Sequence, residues 1–420
     1  MEKHEYQTDT QLLSWYVIGN IIPIVLITTT PKGSPSRYIA ILCLIRIMGH
    51  ILYPIQSPTY LSMWSGCGCG LMIFSALNHL LIKPKDKNDF IDANGKPKGF
   101  LSRLGGATRL VTSVRAINTP QQAKNTPSWP VYYTEKNTQI SRASFLIREI
   151  SIGLWQYLLL DIFSFLAMKD ALDRKNSGKN IAFGTEWNLP MELWVELVIT
   201  NLVVWLVAAR TSISSLYRLS AIFCVATGLG SVSDFPPLFN SMSDAYTLRN
   251  FWGKFWHQML RLPLTGVSNF IARDVLRLPR SSLVERYFNV FLVFLFSGLI
   301  HLFANPAQSI SLRQSGAMFF FLSFVIGYMI EDSVEALWKR IRGPQCTGKP
   351  ALWQRTIGFC WVFGWIGVSS IFYFGPQMGR PESTLSLVPF SVLDSLGLPA
   401  VCELLTVGGI VLKSKFKVEI

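Results

Sequence analysis

The chain has 420 residues, 50% of them hydrophobic and only 15% charged, with 13 Trp and 28 Phe. Soluble domains carry about 25% charged residues, so the composition excludes an ordinary water-soluble globule. Lys and Arg outnumber Asp and Glu by 39 to 25, a formal charge of +14, but the excess lies largely between the apolar runs, where it marks membrane orientation and not a nucleic-acid partner.

A helix needs about 17 to 25 apolar residues to cross a hydrocarbon core. In chain order such runs fall at 12–30, 38–53, 60–82, 151–168, 191–209, 288–303, 316–330, 356–373 and 395–412. They predict an all-α, polytopic transmembrane helical bundle of about nine spans, within a range of eight to ten. The N-terminal residues 1–10 carry Glu2, Glu5 and Asp9 and no basic region, so no removable signal peptide is expected. Seven Cys form no paired framework, and Cys67-Gly68-Cys69 reads as small-residue helix packing rather than a metal or redox site.

Between the third and fourth spans, 83–148 holds twelve basic residues against four acidic ones and is expected in the cytosol. Three spans back from it, the N-terminus becomes lumenal. A tenth apolar stretch, 213–230, is interrupted by Arg218 and is expected to lie in the interface or to re-enter. With that stretch denied a crossing, the block from Arg249 to His257, the basic group Lys339, Arg340 and Arg342, and the tail Lys413 to Lys417 all become cytosolic. The predicted division is a three-span segment 1–82, a basic loop 83–150 and a core 151–420.

That core contains Arg249-Asn250-Phe251-Trp252-Gly253-Lys254-Phe255-Trp256-His257-Gln258. At 100° per residue Asn250, Lys254, His257 and Arg261 share one narrow stripe, and Leu248, Phe251, Phe255, Met259 and Leu262 take the opposite face. The pattern predicts an amphipathic interfacial helix capped at Ser243 or Asp244 and ended by Pro263. Its apolar face would enter the headgroup boundary or pack on the bundle. The plain reading is a Trp-rich anchor. The functional reading has Arg249, Lys254 and Arg261, with Trp252 and Trp256, holding a phosphate-bearing cosubstrate, because guanidinium and ammonium groups pair well with phosphate oxygens.

His301 lies within the apolar run 288–303, on a stripe with Ser297 and Asn305. An ionisable residue at membrane depth is read first as functional, and a neutral imidazole fits a general base that takes a proton from an alcohol; packing across helices is the competing reading. Gly298 would let a neighbour or substrate come close. His50 and His79 stand near span ends and read as interfacial or packing residues, and His4 as solvated tail. No Ser nucleophile elbow, Walker loop or HExxH motif is evident.

Pro236-Pro237-Leu238-Phe239, the stretch Thr247 to Gln258, and Phe296-Ser297-Gly298-Leu299-Ile300-His301 together resemble the wax-synthase-like branch of membrane-bound O-acyltransferases. More closely they resemble the fungal acetyltransferases that decorate terpenoid and meroterpenoid natural products. The likeness covers 235–305 and makes 151–420 the acyltransferase core. It implies a multi-pass endoplasmic-reticulum enzyme with an acyl-CoA donor and a hydroxyl acceptor, and it carries the family's buried His onto His301. His257 stands where several sterol and diacylglycerol acyltransferases have Asn, so it either donates to the thioester carbonyl or lines the donor site; Asn250 is a second such donor.

The expected reaction is transfer of acetyl from acetyl-CoA, as cosubstrate and without a metal, to a hydrophobic terpenoid alcohol within membrane lipid. Direct attack is favoured, since no activated Ser or Cys is evident. A long-chain wax or steryl ester synthase is the nearest alternative. A small-molecule transporter with His301 and Arg46 along its path is the alternative of another class, disfavoured because no repeated, Gly/Pro-broken halves are found.

Overall fold

Inside a bilayer no water can take backbone N–H and C=O groups, so apolar segments satisfy them internally as helices. The computed structural model describes residues 9–52, 60–92, 95–134, 140–176, 190–305, 310–342, 350–378 and 386–418. Its principal helices are α1 Asp9–Thr29, α2 Pro35–Leu52, α3 Tyr60–Ala76, α4 Phe100–Thr112, α5 Arg142–Asn176, α6 Met191–Thr227, α7 Arg261–Asn269, α8 Leu283–Ala304, α9 Ala317–Arg342, α10 Leu352–Met378 and α11 Leu398–Phe416. Among the described residues each apolar run found in the sequence lies mainly on helix, the last, 395–412, being broken at Gly397 (φ +81°) between two helices. Among the described residues five stretches are long and apolar enough to cross a membrane: Arg142–Asp173, Met191–Thr227, Leu283–Ala304, Ala317–Ile341 and Leu352–Pro376; Leu13–Thr29 and Gly66–Ile82 are shorter apolar helices.

The stretch 213–230 is continuous with the preceding helix up to Thr227. It continues α6, which runs unbroken through Met191–Val203, a π turn at Val204–Ala209, and Arg210–Thr227. At about 1.5 Å per residue its 37 residues are longer than a hydrocarbon core of about 30 Å. Gly228, at φ +78°, closes the helix in the left-handed region that a side chain would disfavour.

The chain forms two compact units, one from residues 1–116 and 259–347, the other from 117–258 and 348–420. In the first, α1, α2 and α3 bury Ile27, Leu44, Cys69 and Leu80. Arg37 is fully buried, where its guanidinium donates to the carbonyls of Thr30 at 2.9 Å and Lys85 at 2.8 Å. It thereby satisfies chain groups that helix ends leave open. Helix α3 meets α8 through glycines on either side of Cys67-Gly68-Cys69: a Cβ at Gly66 would stand 2.5 Å from Ala304 Cα, and one at Gly70 2.8 Å from Ile300 Cγ1. Two arginines of this unit are paired with acids, Arg273 with Glu285 and Arg286 with Asp332 at 2.8 Å.

The α3–α8 contact gives a direct expectation. Gly66→Val should lower folded, monodisperse yield, because backbone cannot retreat as a flexible side chain can, and overpacking costs about 1 to 3 kcal/mol. Gly49→Val, where nothing lies within 4 Å of an added Cβ, is the control. Equal thermal midpoints for the two variants in detergent would contradict the close approach.

In the second unit α10 packs on α6 at Gly367, where an added Cβ would lie 2.7 Å from Val198 Cγ1. Helix α5 is tied to α11 by Trp155 Nε1 donating to the Leu405 carbonyl at 2.9 Å.

Candidate active site

The aromatic block folds differently from the single amphipathic helix that its periodicity predicts. Thr247, not Ser243 or Asp244, is the cap: its hydroxyl accepts from Asn250 N at 3.0 Å. One helical turn, Leu248–Asn250, widens at once into a π turn, Phe251–Phe255, closed by Trp256 N donating to Phe251 O at 2.7 Å. Trp256 is extended (φ −68°, ψ 151°) and the helix stops there. Helical structure resumes at Arg261, with Pro263 in the first turn of α7, where a missing N–H costs nothing. Pro263 thus opens a helix instead of ending one. The extra residue of the π turn and the extended Trp256 break the register, so Asn250, Lys254, His257 and Arg261 share no continuous helical stripe.

Carbonyls released by this break are taken by side-chain amides, which gives each backbone acceptor a partner. Asn125 Nδ2 donates to Gly253 O at 2.7 Å, Asn240 Nδ2 to Lys254 O at 2.9 Å, and buried Gln258 to Trp252 O at 3.1 Å and Trp256 O at 2.5 Å.

Leu248, Phe251 and Phe255 are fully buried, so the block's apolar side packs on protein and not on lipid. The ring of Trp256 stacks on Trp205 (5.3 Å, 19°) and on Phe251 (5.5 Å, 20°). Trp252, Tyr373 and Phe374 also meet Trp205, which sits in the π turn of α6. Sequence reasoning missed Trp205; the one signal available was a Trp deep in an apolar run instead of at a membrane boundary. It also missed Arg210, whose guanidinium lies 5.4 Å from the Phe239 ring and 5.5 Å from that of Phe255. Lys254 is exposed, whereas Arg249, Asn250, Trp252 and His257 are half-buried. The His257 ring meets Phe239 edge-on at 6.0 Å.

His301 belongs to the other unit, on α8. Its Nδ1 is 2.7 Å from the Ser297 carbonyl oxygen. A carbonyl only accepts, so Nδ1 carries the proton, and a neutral ring then has its lone pair on Nε2. The ring packs on Phe321 of α9 at 4.4 Å, and Gly298 lets Met318 and Phe321 approach. Ser297 and Asn305 are buried on the same stripe, Asn305 Nδ2 donating to Ser315 Oγ. The same unit holds Arg261, half-buried at the start of α7. Burial pulls its guanidinium below the ordinary arginine range, with Tyr328 partly offsetting the shift. Helix α7 is set by Asn78, which lies in the π turn Leu77–Ile82 and donates to Pro263 O at 2.7 Å; Gly266 leaves the room that the Asn78 amide takes.

The structure therefore brings Arg249, Asn250, Trp252, Lys254, Trp256 and His257 into one short segment of the second unit, and Arg261 and His301 into the first. π turns recur beside these residues, at Leu77–Ile82, Val204–Ala209, Phe251–Phe255 and Phe270–Val275, and such turns are frequent at functional sites.

Comparison with known proteins finds relatives of the whole chain. The model of the membrane bound O-acyl transferase family matches residues 235–323. Over its whole length the chain is 33% identical to the acetyltransferase spyB of Aspergillus fumigatus, covering 73% of that protein. It is 36% identical to the acetyltransferase atnC of an Arthrinium species over 96% of the chain and 95% of the relative, and 31% identical to the acetyltransferase nanB of Aspergillus nanangensis over 95% and 97%. No solved structure matches the chain.

Proposed function

The chain belongs to the membrane bound O-acyl transferase family, and from that premise we propose that it transfers acetyl from acetyl-CoA to a hydroxyl of a hydrophobic terpenoid or meroterpenoid in secondary metabolism. The observation that carries the chemistry is the imidazole of His301, held by Ser297 O in the tautomer with its lone pair on Nε2. Nε2 takes the hydroxyl proton as the oxygen attacks the thioester carbon. The C–S bond then breaks, and the departing CoA sulfur recovers the proton from the imidazolium. His257 and Asn250 are proposed as hydrogen-bond donors to the thioester carbonyl, where developing negative charge makes such donors most effective.

Arg249, Lys254 and Arg261 are proposed to meet the donor's phosphates, with Trp252 and Trp256 shaping the donor segment. Multi-pass insertion in the endoplasmic reticulum membrane, with 83–148 and the block 249–257 on the cytosolic side, completes the proposal, because acetyl-CoA is supplied from that side. The test is a microsomal assay with labelled acetyl-CoA and a panel of hydroxylated terpenoids, run beside longer acyl-CoA donors. Preference for long chains would reassign the enzyme to wax or steryl ester synthesis.

The donor contacts are separable by exposure. Arg261→Ala, at a half-buried cation, should raise the acetyl-CoA KM about tenfold, the share of one charge-assisted contact, with the alcohol KM unchanged. Lys254→Ala, at an exposed cation, should raise it about twofold or less, as solvent screens such contacts. A rise in the alcohol constant alone would place Arg261 against the acceptor.

A further inference from the structure

Within the second unit, α5 supplies Arg148 and Glu149 and α6 supplies Arg218 to a cavity of about 80 Å³ walled by Trp129, Tyr133 and Tyr217. Arg148 and Glu149 are buried, at 6% and 8% exposure. Each guanidinium reaches the carboxylate through Nη1: Arg148 to Oε1 at 2.9 Å and Arg218 to Oε2. Arg218 Nε also donates to Gln156 Oε1 at 3.2 Å, and Gln156 Nε2 to Ser214 Oγ at 3.3 Å. The Arg148 guanidinium lies 5.3 Å from the Tyr133 ring and 5.8 Å from that of Tyr132, and its Nε donates to Phe416 O at 3.4 Å.

The charges lining this cavity do not balance. Two guanidiniums, charged near neutral pH, face one carboxylate, and a buried charge without its counter-charge is destabilising unless something compensates it. Neither arginine spends a two-nitrogen fork on Glu149, although that fork is the geometry in which guanidinium binds carboxylate or phosphate best. Ring and backbone-carbonyl contacts hold Arg148, and the Gln156 side chain holds Arg218, before any ligand arrives, which lowers the ordering cost of binding. The cavity is roomy enough for a small group such as a phosphoryl, since about 10 to 15 Å³ of the same kind of space already holds a water.

We propose that this cavity is a subsite for a single phosphoryl group borne by a larger ligand, with Arg148 and Arg218 as its binding residues and Glu149 as the group that positions them. Two sources share that chemistry. One is the ribose 3′-phosphate of CoA, which rests on the donor reading above; the other is the headgroup phosphate of an anionic lipid, which does not. None of the three residues belongs to the block 249–261 from which the donor contacts were drawn.

The experiment uses the full chain in nanodiscs of phosphatidylcholine, with or without phosphatidylglycerol. Acetyl-CoA is compared with 3′-dephospho-acetyl-CoA in the wild type, Arg218→Gln and Arg218→Lys. If the nucleotide is the source, the wild type favours acetyl-CoA by about tenfold or more in KM, Arg218→Gln abolishes the preference by losing only the phosphorylated donor, and Arg218→Lys keeps part of it. If the lipid is the source, phosphatidylglycerol raises the thermal midpoint of the wild type but not of Arg218→Gln, and the two donors behave alike. A wild type that transfers acetyl yet discriminates neither donor nor lipid overturns the subsite and leaves the activity standing, as does a donor preference that survives in Arg218→Gln. A wild type that transfers no acetyl overturns the donor reading, and the lipid arm, read as thermal stability, then decides the cavity alone. Should Arg218→Gln fail to fold, Arg218→Lys decides, since it keeps the charge but loses the fork: a donor preference or lipid effect clearly smaller than the wild type's supports the subsite, and an undiminished one overturns it.

Discussion

His301→Ala is expected to lower acetyl transfer by about 10²- to 10⁴-fold, the usual contribution of a positioned general base, while expression and thermal midpoint stay close to wild type. The two halves of that expectation have separate causes. The ring is only half-buried and its main packing partner is Phe321, so its loss leaves a small cavity at most. Its chemistry has no substitute on the same stripe: Ser297 and Asn305 are not bases near neutral pH. His301→Gln sharpens the test, because a Gln can keep a donor near Ser297 O but supplies no basic nitrogen. Single-turnover rates on purified, monodisperse protein would settle the matter, and activity within about threefold of wild type in either variant would remove His301 from the reaction.

The second large effect is expected at Trp205. Its ring is 4% exposed and joins Trp252, Trp256, Tyr373 and Phe374, so Trp205→Ala should cost about 3 to 5 kcal/mol. Activity should fall with it, since the stacked Trp256 is the residue at which the signature segment turns from π helix to extended chain. Trp205→Phe keeps a ring in the stack and should recover most of the loss. The measurement is the thermal midpoint in detergent alongside kcat at a temperature where both variants are folded. A Trp205→Ala protein with an unchanged midpoint would show that the π turns of α6 and of the block form without their shared stack.

The periodicity and composition of the sequence were enough for the helical class, for the position of every principal apolar helix, and for the stripe that carries His301. All three depend on short-range rules: apolar length against bilayer thickness, backbone self-satisfaction in lipid, and the 3.6-residue repeat. The family was legible too, through contiguous motifs at 236–239, 247–258 and 296–301. Three things were not legible. The continuity of α6 through Arg210–Thr227 was hidden because Arg218 interrupts the hydropathy, while its charge is met by Glu149 from 69 residues away.

The break at Trp256 was hidden because a strict 100° repeat assumes α geometry, whereas a π turn shifts each hydrogen bond by one residue and moves every later side chain around the axis. That shift is stabilised by partners no local window contains, namely Asn125 and Asn240 on the released carbonyls and Trp205 beneath the ring. The cavity of Arg148 and Arg218 is the third. Sequence places those cations in a basic loop and a doubtful span, and only the packing of α5 on α6 puts two of them on one carboxylate. Local rules decide where helices form; which buried charges and aromatic rings meet is decided by packing between residues far apart in the chain, and that selects the helical register at the signature segment.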